Sequence, residues 1–385
     1  MNEKTLTFKL SGRVDSSNAT EVGEELEEFR KTPHDALIID ADDLEYIASA
    51  GLRILLRARK SEQELTVINA SSEVYDILEM TGFTEMINVQ KAFRRMSVDG
   101  CPVIGKGAKG TVYRYDPETV IKVYNSADCL PSIKKERELA RRAFVLGIPT
   151  AISYDVVRVG DSYGSVFELL DADSYSRLIA DHPENFDKYV GDFAELLRTI
   201  HSTEANPGDM PDIRTSIKGW VDIVAPYLST ERANKLDSLV KNTPECMNVL
   251  HCDYHTNNVM LQNGETLLID MDTLSHGNPV FDLANIHIAY VGFGVTDPSY
   301  VENFIGLPYE TCVKFWNKFI VAYLGTDDPA VVAEAEDKIK LVSYTRLVRH
   351  YVRRRAGETE EGRAHINAAL DKLIPLLDSV NSIAL

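Results

Sequence analysis

The sequence predicts a small α/β domain followed by a larger α+β domain. Three observations carry this. About the first 95 of the 385 residues alternate short strand-like and helix-like segments. A glycine-rich pattern, GxGxxGxV, then opens a second region at Gly105 and runs into β-branched residues. Further on, the strings H-x-D-x(4)-N at His251 and I-D-x-D at Ile269 place charged residues at the ends of short apolar runs.

In the first region, residues 5–10 alternate apolar and polar side chains as a strand does. Residues 18–30 set Ala19, Val22, Leu26 and Phe29 at helical spacing. Residues 36–39 read as a buried strand ending in Asp40, and Ser49 opens a helix that runs to Arg59. Residues 65–69 form another strand, and residues 72–80 a helix stopped near Gly82. Residues 90–96 are a short, partly basic linker.

Composition narrows the function classes. The chain is 44% apolar and 26% charged, and it has no apolar run of membrane-spanning length. The N-terminus lacks a basic start and apolar stretch, so a cytoplasmic address is expected. Five cysteines at 101, 129, 246, 252 and 312 form no CxxC pair and no zinc spacing. A net charge of −18 argues against nucleic acid or an anionic membrane surface as the main partner.

The segment Leu-Glu-Tyr-Ile-Ala-Ser-Ala-Gly-Leu-Arg at 44–53, preceded by Asp40, resembles the STAS domain of anti-sigma factor antagonists. Gly-Arg-Val-Asp at 12–15 and Thr-Gly-Phe at 81–83 support the resemblance, which covers about residues 1–93. It implies a protein partner and a phosphorylated Ser or Thr at a helix start, here Ser49. Ala48 stands where the family usually has Asp. Free N–H groups at a helix N-terminus favour a phosphate. A plain helix cap is the alternative role for Ser49.

In the second region, Gly105, Gly107 and Gly110 would let the backbone approach phosphates and adopt positive φ. A Rossmann fold would follow such glycines with a helix. Here residues 111–115, a turn at 116–119 and residues 120–124 make a β-hairpin instead, as in protein kinases. Lys122 lies on its second strand between apolar neighbours, where an unpaired charge is costly. Its partner is expected on the helix over residues 132–146, with Glu136 favoured and Glu138 the fallback. The strand ending Phe-Glu-Leu-Leu would place backbone groups of Glu168 and Leu170 against a purine edge.

The string His251-Cys-Asp253 followed by Asn258 puts a carboxylate where it can accept a hydroxyl proton and an amide where it can reach a metal. Asp270 would complete that metal site. The set resembles the aminoglycoside phosphotransferase and choline kinase-like superfamily over about residues 100–355. The loop is similar to that family's HGDxHxxN, with Cys252 at the Gly position, and residues 277–284 are similar to its GxPxxDLA. The resemblance implies a bilobal, protein kinase-like fold, ATP and Mg²⁺ as cofactors, and a small-molecule hydroxyl as acceptor. It implies Asp253 as catalytic base, Lys122 as phosphate clamp, Asn258 and Asp270 on the metal, and His251 and Asp282 as support, while His255 orients the loop.

The expected boundaries are 1–93 for the STAS-like domain, 97–170 for the first lobe and 171–385 for the second, helical lobe. In that lobe Trp220, Tyr227, Trp316, Tyr323 and Tyr351 are candidate acceptor-pocket walls or ordinary core. The basic stretch from Arg346 to Arg355 reads as a solvated face or ion-pair network, with a pocket for an acidic acceptor or a contact to the acidic STAS part as weaker alternatives. A regulator whose kinase-like part phosphorylates Ser49, or only senses nucleotide, is the competing function.

Overall fold

A computed structural model of the protein describes residues 4–107 and 109–385. Ala108, between the second and third motif glycines, lies outside the described residues. The chain forms two compact units, one of residues up to Ser97 with Val156–Gly164, the other of Val98–Asp155 with Ser165–Leu385. Among the described residues no helix is long and apolar enough to cross a membrane.

The first unit holds a four-stranded parallel sheet in the order Thr5–Val14, Ala36–Ile47, Leu65–Ala70, Asn88–Lys91. Helices Ala19–Phe29, Ser49–Ser61 and Ser72–Met80 connect successive strands, as parallel pairing requires. Two expectations change. The second strand does not stop near Asp40 but continues to Ile47, burying Ala41, Leu44 and Ile47. Those residues are three apart, because pairing with the first strand shifts register at Lys9/Ser11 and at Gly12/Arg13. A period-two reading misses a bulged strand. The stretch read as a linker likewise begins inside the sheet, since Asn88–Lys91 is its fourth strand.

Ser49 is exposed and is the first residue of the helix Ser49–Ser61. The cap position is Ala48, and no side chain caps this helix end. The plain capping role is therefore not what Ser49 does.

The second unit begins with three antiparallel strands in the order Val103–Lys106, Gly110–Arg114, Thr119–Tyr124. The helix Leu130–Val145 follows the third of these in sequence. Pro131 suits its first turn, where no intrahelical N–H partner is needed. Its C-terminus closes with Gly147 at φ 85°, where Gly147 N bonds Phe144 O and Ile148 N bonds Ala143 O. This double bond pattern needs a left-handed residue, and it turns buried Ile148 back onto the core.

The rest of the unit is mainly helical and shares one large apolar core. The helix Phe186–Ser202 and the helix Tyr309–Leu324 pack Phe193, Phe315 and Phe319 against one another. The helix Val280–His287 is buried on all sides, so its polar residues must find partners inside.

His287 on that helix gives a measurable consequence. Its Nδ1 meets Ser343 Oγ at 2.8 Å, and its ring packs edge-on against Trp316 and Tyr344. Burial, aided by Lys340, holds its pKa down at about 3. The unfolded chain takes up this proton below about pH 6.5, and the folded chain does not until near pH 3. Stability therefore falls as pH drops through that window. Between pH 7 and pH 5 this group should cost about 2 kcal/mol. Urea unfolding followed by the emission of Trp220 and Trp316, both in this unit, reads it. His287→Gln should flatten the pH dependence by about that amount. An unchanged dependence in the variant would refute the assignment.

Candidate functional site

The glycine-rich hairpin pairs Val112 with Lys122 across its strands. None of Gly105, Gly107 and Gly110 has positive φ, contrary to the expectation for these glycines. Gly110 is needed for a different reason. A Cβ there would meet Val123 O at 2.4 Å, so only glycine lets the strands come this close. A Cβ on Gly107 would find nothing nearer than 4.0 Å.

Lys122 Nζ lies 2.9 Å from Glu136 Oε1 and 3.1 Å from Asp270 Oδ1. Glu136 is 8% exposed and also accepts from Tyr124 Oη at 3.0 Å. Glu138 instead pairs with Arg141 and Arg142 on the outer face of the helix. Burial favours the neutral amine of Lys122, but Glu136 and Asp270 outweigh it and hold its pKa above the ordinary value.

Asp270 reaches Lys122 because its strand is tied down on both sides. Leu268 N bonds Pro149 O at 2.8 Å, Ala151 N bonds Leu268 O at 3.1 Å, and Ile269 N bonds Asn258 O at 3.0 Å. Asp270 itself sits at φ 62°, a left-handed conformation that Asp tolerates better than most residues. Asp272 pairs with Lys109 from the hairpin. Glu136, Asp270 and Asp272 offer oxygens that lie within 4.8 Å of one another. An all-oxygen donor set of this kind fits a hard cation such as Mg²⁺.

The loop after Val249–Leu250 is held by a buried carboxylate. Asp282, wholly buried, accepts from His251 N at 2.7 Å, Cys252 N at 2.7 Å and His201 Nε2 at 3.1 Å. Burial alone would raise the pKa of Asp282, but the His201 hydrogen bond and charge, with the loop donors, keep it below the usual carboxylate range. Tyr323 Oη meets His201 Nδ1 at 2.7 Å, which fixes the ring. Cys252 takes φ 64°, and Asn285 Nδ2 donates to its carbonyl at 2.9 Å. That conformation explains why the related motif has Gly at this place, and it costs a non-glycine residue about 1 kcal/mol.

Asp253 projects from this loop with 41% of its side chain exposed, so a solute can reach it. Burial would raise its pKa, but His255, His251 and Arg346 outweigh that and leave it lowered. His255 Nε2 stands 3.8 Å from Asp253 Oδ2, and its ring packs edge-on against Phe304. His251 is fully buried, its Nδ1 accepts from Asp253 N at 3.3 Å, and burial lowers its pKa. Asn258 Nδ2 donates to Asp253 O at 3.0 Å, tying the end of the loop to its start.

The stretch after Ser162–Glu168 is anchored by Leu169 N donating to Glu118 O at 2.7 Å. In an extended chain the backbone groups of Glu168 and Leu170 then face away from Glu118. Their side chains line a cleft of about 840 Å³ with Lys134, Arg137 and Arg141. That cleft lies on a different face of the helix Leu130–Val145 from Glu136, and it includes none of Lys122, Asp253 and Asp270. Of the aromatic candidates, Trp316 is core at 2% exposure, Tyr323 braces His201, and Tyr227 is exposed.

With this geometry in place, the comparisons with known proteins are direct. Residues 100–308, more than half of the chain, match the family model described as "Phosphotransferase enzyme family". The chain belongs to the phosphotransferase enzyme family. Residues 1–96 match the STAS domain model, so this phosphotransferase family member carries an N-terminal STAS domain. That part is similar to the anti-sigma-B factor antagonists of Listeria monocytogenes serovar 1/2a and Listeria innocua serovar 6a. Each is 27% identical over 92 residues, which is 23% of this chain and 81% of the relative.

Among solved structures, the chain is similar to a gentamicin complex of APH(2")-IIa. The identity is 16%, covering 80% of this chain and 97% of that one, with TM-score 0.43. It is also similar to a thermostable mutant of aminoglycoside phosphotransferase APH(4)-Ia in ternary complex with AMP-PNP and hygromycin B. There the identity is 14%, covering 71% and 93%, with TM-score 0.48.

The sequence gives no role to Lys109 and only a place in the I-D-x-D string to Asp272. Asp272 was visible as the second acid of I-D-x-D, but nothing in the spacing tied it to Lys109. Arg346, expected on a solvated or ion-paired face with an acidic-acceptor pocket as the weaker reading, is largely buried, and its charge bears on Asp253. For the phosphotransferase loop as a whole, Asp282→Ala should destabilise the second unit by roughly 3–5 kcal/mol, because it leaves buried donors unpaired. The urea midpoint of the tryptophan transition measures this. A loss under about 1 kcal/mol would mean that water or another group replaces the carboxylate.

Proposed function

We propose that this phosphotransferase moves the γ-phosphoryl group of ATP to a hydroxyl of a small molecule, giving a phosphate ester and ADP. The carrying observation is Lys122 Nζ held between Glu136 and Asp270, which draws hairpin, helix and second-lobe strand into one cluster. Lys122 clamps the donor phosphates, with Gly105, Gly107 and Gly110 lying close above them. The backbone of Glu168 and Leu170 binds the purine edge.

Asp253 accepts the proton of the acceptor hydroxyl as that oxygen attacks phosphorus, and the bond to the leaving ADP oxygen breaks. Its lowered pKa keeps it ionised and ready to accept a hydrogen bond near neutral pH. Asp270 and Asn258 are the proposed Mg²⁺ ligands, with Asp272 close by. When bound, Mg²⁺ would neutralise phosphate charge. His251 and Asp282 hold the loop, and Asp282 acts only through the backbone it fixes.

Asp253→Asn should lower ADP release by about 100-fold or more. Binding of a fluorescent ATP analogue should stay within about three-fold of wild type. Lys122→Ala should weaken that binding instead. Turnover by the Asp253 variant at the wild-type rate would sink the mechanism.

A second reading has one observation in its favour. Ser49 is exposed at the first position of its helix, and its side chain makes no capping bond. Its hydroxyl is thus free to be modified, and a phosphate there would meet unpaired N–H groups. In this reading the STAS domain binds a protein partner and the kinase-like part phosphorylates Ser49 or senses nucleotide. Intact mass after incubation with Mg-ATP decides it. A phosphate-sized gain lost in Ser49→Ala supports the switch, and no gain removes it.

A further inference from the structure

The helix Pro329–Arg353 carries Arg346, Arg349 and Arg353 on one face, at i, i+3 and i+7. The guanidinium carbons of Arg346 and Arg349 lie 5.7 Å and 5.3 Å from the ring centre of Trp220. Trp220 is 8% exposed, so two cations share one buried indole. Arg346 donates to Asn285 Oδ1, and Asn285 Nδ2 holds the Cys252 carbonyl at 2.9 Å. The cluster is therefore one hydrogen-bonded residue away from the loop that carries Asp253.

These cations are short of counterions: Arg346 feels the charges of Asp253 and Asp282 without an ion pair, and Arg349 meets only other arginines. Among the described residues no carboxylate makes an ion pair with Arg346, Arg349 or Arg353, whereas Arg30, Arg141, Arg142, Arg214 and Arg232 each have one. Arg349 Nε is buried with no hydrogen-bond partner. The charges that bear on Arg349 are those of Arg353 and Arg346, which add to burial in lowering its pKa. Beside them His350 is held down at about 4, first by burial and then by Arg354, Arg346 and Arg349. Stacking on the indole offsets only part of the cost of holding two cations together. Gathering guanidinia at a half-buried spot that no ion pair neutralises is unfavourable, and their planar forks match carboxylate and phosphate oxygens.

We propose that the acceptor is a small hydroxylated anion, whose phosphate or carboxylate group is gripped by Arg346 and Arg349 next to the Asp253 loop. The inference rests on Asp253 facing the acceptor, as in the proposed function. It sets this pocket apart from one built for a polycation, because a cationic acceptor would meet like charge. Trp220 forms the apolar floor, and Arg353 at the exposed end of the face draws the anion in.

The test uses the full chain saturated with ADP, so that the donor side is filled. Inorganic phosphate, citrate and kanamycin are titrated in separate arms by calorimetry. Saturable binding of phosphate or citrate is expected, and the tighter of the two tells a phosphomonoester from a carboxylate acceptor. Arg349→Gln should weaken that anion by about ten-fold or more, and Arg349→Lys by less. Arg353→Gln, at an exposed position, should weaken it about two- to five-fold and keeps the test open if the Arg349 variants do not fold. Kanamycin should show no saturable heat. The proposal is overturned if neither anion binds, if folded Arg349→Gln or Arg353→Gln binds the anion as wild type does, or if kanamycin binds more tightly. ADP release with Mg-ATP is followed separately. Arginine-dependent anion binding with no ADP release from any acceptor supports the pocket and removes the phosphotransfer reading, so the two failures are distinct.

Discussion

A buried carboxylate governs the site. Asp282 has no access to water, and an isolated carboxylate in that position would be too costly to keep ionised. Three donors make it tolerable, and two of them are backbone N–H groups of His251 and Cys252. Satisfying Asp282 therefore dictates the path of the loop. The left-handed turn at Cys252 follows from that demand, because both N–H groups must point at one side chain. Asp253 is the next residue, so its direction is set by a charge that takes no part in the chemistry. The third donor, His201, is itself pinned by Tyr323, which extends the same constraint into the helical core.

The donor side is organised by a second set of charges. Lys122 is shared between Glu136 on the helix and Asp270 on the second-lobe strand. Neither acid would sit there without a cation, and Lys122 would not stay charged without them. Asp272 and Lys109 repeat the arrangement at the edge of the hairpin. Phosphates and a divalent cation would enter a place whose own charges are already balanced. Glu136, Asp270 and Asp272 are the carboxylates that would hold such a cation, which would neutralise phosphate charge there.

Much of this was legible in the sequence because it depends on local spacing. The hairpin, the Lys on its second strand and the Asp-to-Asn interval of the loop are all set by residues close in the chain. The choice of Glu136 over Glu138 followed its spacing to Gly147, and the structure buries Glu136 while Glu138 pairs with Arg141 and Arg142. What stayed hidden needed long-range placement. The strand Ala36–Ile47 was cut short because its buried residues follow a bulged register. The role expected of the motif glycines was also different, since Gly110 answers to the carbonyl of Val123 across the sheet and not to a positive φ. Ser49 as a cap failed for a similar reason, because Ala48 already holds the cap position.

Arg346 shows most clearly why charge counts mislead. A net charge of −18 suggests a protein that repels anions, yet the average says nothing about one helix face. Arg346 is bonded to Asn285, Asn285 to the Cys252 carbonyl, and the Cys252 N–H to Asp282. One polar chain thus runs from the buried acid that shapes the loop to the arginines stacked on Trp220. Substituting an acidic or neutral residue at 346 would alter both the loop and the pocket, whereas Arg349 touches the pocket alone. The two arginines stack on the same indole but stand on different links of the structure.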